Sequence, residues 1–223
     1  MIYMYTKDYF DTPEWQQYEQ LRSERPDAFK DDPHLMICSD QHRILDFMNR
    51  TGRKIGVVYK SPFSLMVVDL VEDPSANLFA YERLLPAVTG SAVVTIPKLD
   101  DRYVLLNQFR HALRQMQLAF PRGFGEEGLS ALENAEKEIK EETGAASVTD
   151  LRLLGHTTPD SGEMGTCVSI VSCCIDKINL NKNYEGIDRI LLVTEDELRE
   201  MIAHGRITDG YTLAAWALLR TLA

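Results

Sequence analysis

The sequence lacks three features that would each indicate a different class of protein. It has no apolar stretch long enough to span a membrane, and charged residues break up its first segment, unlike a signal peptide. It also lacks a basic excess, since 34 acidic and 24 basic side chains give a net charge of -10. Proteins that bind duplex nucleic acid use basic side chains to neutralise the phosphates. We therefore expect a cytoplasmic protein that binds neither membranes nor nucleic acid.

Cysteine is also scarce. The four cysteines, Cys38, Cys167, Cys173 and Cys174, show no CxxC spacing, and the five histidines are scattered. A structural zinc site needs four suitably spaced ligands of these types. We expect buried, reduced cysteines and no zinc site.

The chain has the composition of a globular protein, with 44% hydrophobic and 26% charged residues. Strand-like segments are interspersed with helices without strict βαβ alternation, which predicts an α+β fold or mixed-sheet sandwich. Pro86 and the strands that restart at Gly90 indicate a boundary between region 1–86 and region 87–223. Helices are predicted at 13–25, 40–50, 130–143, 195–204 and 209–221, and strands at 54–60, 63–72, 78–85, 90–96, 103–109, 150–156, 166–176 and 187–193.

The helix predicted at 130–143 has clear signals at both ends. Ser130 and Glu133 form the S-x-x-E pattern of a capping box, in which each residue bonds the other's backbone amide. Gly144 stands where a glycine commonly ends a helix. The sequence therefore fixes the register of this helix.

Three carboxylates share one face of that helix, because Glu138, Glu141 and Glu142 lie at positions i, i+3 and i+4. Clustered carboxylates repel one another, whereas Mg²⁺ prefers such hard oxygen ligands and also binds phosphates. The alternative is a solvated acidic face laced with Lys137 and Lys140. The glycine-rich loop 123–128 before the helix favours the metal site.

The segment GFGEEGLSALENAEKEIKEETGA (123–145) resembles the Nudix box, G-x5-E-x7-R-E-U-x-E-E-x-G-U, where U is a bulky aliphatic residue. Two positions depart from it: Leu129 replaces the first Glu of the box, and Lys137 replaces its Arg. Glu126 or Glu127 could supply the missing carboxylate. The matching residues are Gly123, Glu138, Ile139, Glu141, Glu142 and Gly144.

The same loop also fits a competing pattern. Gly123, Gly125 and Gly128 spell G-x-G-x-x-G, the pattern of dinucleotide-binding loops, which follows a strand and opens a helix. Here Glu126 and Glu127 would repel a pyrophosphate. The dinucleotide-binding interpretation is therefore disfavoured.

The resemblance extends to the ADP-ribose pyrophosphatase branch of the family over roughly residues 78–223. Residues 104–124 resemble its strand and the lead-in to the box, so the resemblance implies that the Arg122 carbonyl holds a metal. Arg110 and Arg114 are candidates for binding the substrate's phosphates or for structural ion pairs. In segment 154–167, Pro159 stands where a proline marks this branch, and Glu163 is a further candidate for substrate binding.

The C-terminal part, residues 183–219, resembles the family's acidic loop, strand and I-x-D-x-x-T-L helix. The resemblance implies that a glutamate of the acidic loop activates water or binds metal. Glu185 is the first candidate and Asp188 the second, and Glu141 is the other catalytic candidate.

The resemblance implies a Nudix α/β/α sandwich with a mixed sheet, preceded by a β-rich and helical extension that contains a dimerisation sheet. The implied activity is Mg²⁺-dependent (or Mn²⁺-dependent) hydrolysis of a nucleoside diphosphate linked to another moiety, with ADP-ribose giving AMP and ribose 5-phosphate. Glu138, Glu141, Glu142 and Arg122 would hold the metal in a homodimeric enzyme for a small-molecule nucleotide. Two alternatives stay open: a nucleotide-binding sensor or regulator, and a hydrolase of another sugar nucleotide or dinucleotide.

Overall fold

The computed structural model describes residues 4–179 and 185–222, which form two compact units. The first comprises Met1–Val88 and Asp160–Thr166, and the second comprises Thr89–Pro159 and Cys167–Ala223. The sequence did not indicate that segment 160–166 belongs to the first unit. None of the helices in the described ranges has the length and hydropathy needed to cross a membrane.

The first unit combines a small antiparallel sheet with helices. Strand β3 is its centre, because it pairs with β1, β2 and β4. Two short 3-10 helices, Lys7–Asp11 and Pro26–Phe29, flank the first α-helix. The elements are α1 (Pro13–Glu24), β1 (Met36–Ile37), α2 (Gln41–Thr51), β2 (Gly56–Lys60), β3 (Ser64–Glu72) and β4 (Leu78–Pro86).

A buried charge network holds α1 against this sheet. The Tyr18 hydroxyl donates to Asp69 Oδ1 at 2.5 Å, and Arg83 Nε donates to Asp69 Oδ2 at 2.6 Å. Arg83 Nη1 also donates to the Ala28 carbonyl at 2.7 Å. Tyr18 and Asp69 are each only 1% exposed, so the carboxylate depends on these partners rather than on water. The N-terminal helices are therefore part of the core of the first unit.

The second unit is built on one mixed sheet of seven strands. Its main path runs β11-β6-β5-β10-β9, with β10 parallel to β5 and the other neighbours antiparallel. Strand β7 pairs with β6, and β8 pairs with β5. The elements are β5 (Val93–Leu99), β6 (Arg102–Arg110), β7 (Gln115–Ala119), β8 (Arg122–Gly123), α3 (Ala131–Thr143), β9 (Val148–Thr157), β10 (Val168–Ile175), β11 (Ile187–Val193), α4 (Glu195–Ala203) and α5 (Gly210–Thr221).

Helices cover both faces of this sheet, and successive side chains of each strand point to opposite faces. In β6, Leu105 packs in the cluster that contains residues of α4 and α5, whereas Val104 packs with Ile139 of α3. The predicted α/β/α sandwich is thus confirmed. Of the cysteines, Cys38 and Cys173 are buried as expected, but Cys167 is exposed.

All five predicted helices are confirmed to within one or two residues at each end. Three strands went unpredicted: β1 and β8, which have two residues each, and β7. The turn before β7 places Arg114 at a φ of 55°. Glycine usually takes such a conformation, so the local residue types did not indicate a hairpin there.

Candidate active site

Helix α3 begins and ends at fixed positions. Ser130 Oγ accepts the Glu133 N–H at 3.3 Å, and the Glu133 carboxylate accepts the Ser130 N–H at 2.9 Å, which confirms the capping box. Gly144 follows with a φ of 71°, and a Cβ there would lie 2.0 Å from the Asn179 carbonyl oxygen. These two ends determine where the acidic face of α3 points.

Two carboxylates of that face are partly or fully removed from water. Glu142 is 2% exposed, and burial, followed by the Glu138 carboxylate, raises its pKa to about 8. Burial and then the Glu141 carboxylate raise the pKa of Glu138 to about 7. A solvated acidic face is therefore the wrong interpretation for Glu142. Ionising both groups costs stability that a divalent cation would offset.

The loop before α3 is packed closely around this cluster. A Cβ added at Gly123 would lie 1.9 Å from Glu138 Cδ, so only a glycine leaves room for that carboxylate. A Cβ at Gly125 would lie 1.9 Å from the Gly90 carbonyl oxygen. The strand before the loop, β8, pairs antiparallel with β5, so the loop does not lie in the βαβ unit that the dinucleotide-binding pattern requires.

The donor set fits a hard divalent cation. Carboxylate oxygens of Glu138, Glu141 and Glu142 are the ligand type that Mg²⁺ prefers, and the backbone of Arg122 approaches Glu142. Within residues 4–179 and 185–222, no three His, Cys, Asp or Glu side chains already form a metal cage. The residue types thus suit a divalent cation, although their carboxylates do not already form a cage.

Lys137, one of the two departures from the Nudix box, is paired in the structure. Its Nζ bonds the Glu126 carboxylate and lies 3.8 Å from Glu141 Oε1. The bond to Glu126 is the largest cause that raises the pKa of Lys137. Glu126 thus supplies a carboxylate partner for this lysine, although Leu129 occupies the usual position of the box glutamate.

The two candidate arginines have different surroundings. Arg110 is partly buried, and its Nε and Nη2 have no hydrogen-bond partner among the described residues. Burial, followed by Arg122, lowers its pKa, while Asp209, Glu142 and Glu185 act in the opposite direction. Arg114 instead lies exposed on the β6–β7 hairpin. The structure therefore brings Arg110, but not Arg114, to the acidic cluster.

Arg114 is engaged within its own hairpin. Its Nη1 lies 2.9 Å from His111 Nδ1, and its guanidinium stands 5.2 Å from the centroid of the Phe109 ring. These contacts favour a structural role for this arginine.

Of the two acidic-loop candidates, Glu185 faces the cluster. Its carboxylate contributes to the raised pKa of both Glu138 and Glu142, and its backbone carbonyl accepts Gln108 Nε2 at 2.9 Å. Asp188 instead accepts Asn107 Nδ2 at 3.2 Å and is mostly exposed. Residues 180–184, the first part of this loop, lie outside the described residues.

Glu163 lies in the other unit. It is exposed, and its backbone carbonyl accepts the Leu84 N–H at 2.8 Å. Its role in substrate binding stays a prediction.

Sequence reasoning missed Asn134. This residue of α3 is fully buried, and its Nδ2 donates to the carbonyl oxygens of Ser91 at 2.9 Å and Phe124 at 2.8 Å. It thereby fixes the glycine-rich loop to the start of β5. The signal in the sequence that could have identified Asn134 is its polar side chain next to Ala135, which is buried.

Comparison with known proteins decides the family. The sequence model of the NUDIX domain matches residues 88–208, more than half of the chain. The chain belongs to the Nudix family. The match confirms the resemblance drawn from the box and covers the loop, the acidic helix and the acidic-loop glutamate.

Two known proteins that are similar to this Nudix chain are both ADP compounds hydrolases. NudE, the ADP compounds hydrolase of Escherichia coli (strain K12), is 34% identical over 82 residues, which are 37% of this chain and 43% of that protein. The match thus spans less than half of NudE. The crystal structure of an ADP compounds hydrolase aligns with a TM-score of 0.65 at 19% identity, covering 76% of this chain and 91% of that one. The structural likeness shows the shared fold.

Replacing Gly123 by alanine is expected to displace Glu138 without unfolding the protein, because the added methyl overlaps a side chain that can rotate. We expect hydrolysis to fall about 10- to 100-fold, as for a misplaced catalytic group, while Tm stays within about 3 °C. Gly210→Ala is the matched control, since a methyl there meets no atom within 4 Å. Equal activity of Gly123→Ala and wild type would contradict this account of the loop.

Proposed function

We propose that this Nudix chain hydrolyses the diphosphate of ADP-linked compounds, with ADP-ribose as the first substrate to test and AMP and ribose 5-phosphate as the products. The observation that carries the proposal is the half-buried Glu138 with the buried Glu142 beside Arg110, whose Nε and Nη2 have no hydrogen-bond partner among the described residues. Carboxylates that lie next to a guanidinium suit a metal-bound diphosphate, because the carboxylates can hold the cation and the guanidinium can bind phosphate oxygens. The name of the relative NudE supports the choice of an ADP compound.

A divalent cation, Mg²⁺ or Mn²⁺, would be held by Glu138, Glu141 and Glu142, with the Arg122 carbonyl as a further ligand. When bound, it would supply charge neutralisation of the diphosphate and a lowered pKa for a coordinated water. Glu142 would stay fixed in this set because the Arg122 N–H donates to its Oε2 at 3.2 Å.

The reaction then needs a base and a group that holds the diphosphate. Glu185 would accept a proton from the attacking water, and Glu141 would assist it in orienting that water. One bond forms between the water oxygen and a phosphorus atom, and the bond from that phosphorus to the bridging oxygen breaks. Arg110 would orient the diphosphate, since guanidinium groups bind phosphate oxygens in a fixed geometry.

The test is incubation of the pure protein with ADP-ribose and Mg²⁺ while AMP release is followed. Release that requires Mg²⁺ would support the proposal, and a panel of sugar nucleotides and dinucleotides would then rank substrates. Tight binding of ADP-ribose without cleavage of any diphosphate would overturn it in favour of the sensor. The implied homodimer and the dimerisation sheet within residues 1–86 remain proposals that sedimentation would test.

Arg110→Gln is expected to raise KM for ADP-ribose about 10- to 100-fold, because a charged hydrogen bond contributes about 1.5–3 kcal/mol. The effect should fall mainly on KM, since the arginine holds the diphosphate in both ground and transition states. Arg152→Gln, which changes an exposed arginine of β9, serves as the control. An unchanged KM in Arg110→Gln would remove this residue from the binding site.

A further inference from the structure

The first turn of α5 carries polar residues that the proposed chemistry does not use. Asp209 is the N-cap of this helix, and its Oδ2 accepts the Thr212 N–H at 3.0 Å and the Thr212 hydroxyl at 2.8 Å. Thr212 is fully buried. Both residues belong to the I-x-D-x-x-T-L pattern and lie beyond residues 88–208, the part of the chain that the family model matches.

Both residues also bond the segment that leads into the acidic cluster. Thr212 Oγ1 accepts the buried Phe120 N–H at 2.9 Å. Asp209 Oδ1 accepts Arg122 Nη1 at 3.0 Å, and the Arg122 guanidinium stands 4.8 Å from the centroid of the Tyr211 ring. The segment 120–122 is therefore fixed at its first and last residues by one helical turn.

The other end of this chain of contacts is Glu142. Arg122, which Asp209 holds through its side chain, donates its backbone N–H to Glu142 Oε2 at 3.2 Å. Glu142 is nearly inaccessible to water, so its orientation depends on protein groups such as this N–H rather than on solvent. A displacement of Arg122 would therefore move both a hydrogen-bond donor and the carbonyl assigned to the cation.

We propose that Asp209 and Thr212 are positioning residues that hold the Arg122 backbone against Glu142 and thereby set the affinity of the acidic cluster for a divalent cation. This inference rests on the proposed function for the role of that cluster. Residues that orient metal ligands typically change metal affinity 10- to 100-fold when replaced.

The test separates capping from positioning. Asp209→Asn keeps a good N-cap residue but removes the charge that holds Arg122, and Asp40→Asn makes the same change at the N-cap of α2 in the first unit. Thr212→Val removes the acceptor for the Phe120 N–H, whereas Thr212→Ser keeps it. Each variant is titrated with Mg²⁺ alone by calorimetry, and kcat and KM for ADP-ribose are measured at saturating Mg²⁺.

We expect Asp209→Asn and Thr212→Val to bind Mg²⁺ about tenfold more weakly, with Thr212→Ser and Asp40→Asn within about twofold of wild type. At saturating Mg²⁺, kcat should recover and KM should change little. Wild-type Mg²⁺ affinity in folded Asp209→Asn would overturn the inference, even if Thr212→Val did not fold. A wild type that binds Mg²⁺ but cleaves no ADP compound would overturn only the proposed function.

Discussion

Glu142→Gln is expected to reduce hydrolysis of ADP-ribose about 10³-fold while making the metal-free protein more stable. The loss follows because removing one charged ligand from the acidic cluster weakens binding of the cation. Charge neutralisation by that cation lowers the activation free energy of hydrolysis by several kcal/mol. The glutamine still offers a carbonyl oxygen to the Arg122 N–H, so the local hydrogen bond can persist.

The gain in stability depends on pH in a defined direction. The pKa of Glu142 is about 8 in the folded protein and 4.5 for an unperturbed glutamate. Below about pH 4.5 the group is protonated in both states and costs nothing, whereas above about pH 8 it is ionised in both and the full cost is present. We therefore expect the free energy of unfolding to rise by about 1–2 kcal/mol at pH 8.5, and Tm by about 2–8 °C, with little change at pH 5.

The measurement is thermal unfolding in EDTA at the two pH values, together with AMP release in Mg²⁺. Glu136→Gln is the matched control, because Glu136 lies on the same helix, partly exposed, and pairs with Lys140 rather than with the cluster. Retained turnover in Glu142→Gln would exclude this carboxylate from catalysis. A lower Tm at pH 8.5 would show that its charge does not destabilise the fold.

Asp69→Ala is expected to destabilise the first unit by about 3–5 kcal/mol, the usual cost of removing one partner of a buried ion pair. The substitution leaves Arg83 partly buried without its carboxylate and removes the acceptor of the Tyr18 hydroxyl. Arg83 keeps its bond to the Ala28 carbonyl and the Phe29 ring 4.8 Å from its guanidinium, but these neutral groups do not replace the carboxylate charge.

The two tryptophans make this effect measurable in one unit. Trp15 lies in α1 and Trp216 in α5, and both are buried. In a Trp216→Phe background, urea unfolding followed by fluorescence reports on the first unit alone. Glu82→Ala, which removes an exposed partner of Arg53, should cost less than about 1 kcal/mol. Equal unfolding midpoints for the two variants would show that the Asp69 network contributes no more than a surface ion pair.

The acidic helix could be predicted from the sequence because its signals are interactions between residues close in the chain. Capping at Ser130 and termination at Gly144 depend on neighbours within a few residues, and the spacing of Glu138, Glu141 and Glu142 fixes their shared face. The same spacing, with Gly123, was sufficient to indicate the Nudix family and its α/β/α fold. Sequence reasoning also placed all five helices, because their periodicity and end signals are local.

The tertiary structure alone decided which distant side chains join that helix. The sequence did not distinguish Arg110 from Arg114 as candidates for binding phosphate. The β6–β7 hairpin places Arg110 beside the cluster and Arg114 on the surface. The burial of Glu142 likewise depends on sheet pairing, which sets contacts between residues far apart in the chain.

The same limit explains the contacts that no motif indicated. Lys137 meets Glu126 because the loop folds back onto α3, and Asp209 meets Arg122 across 87 positions of sequence. Helical periodicity and capping predict, from one segment alone, which face of a helix a side chain lies on. These pairs instead depend on how two separate segments pack together. The sequence by itself determined the acidic face and its family, and the packed sheet determined what surrounds that face.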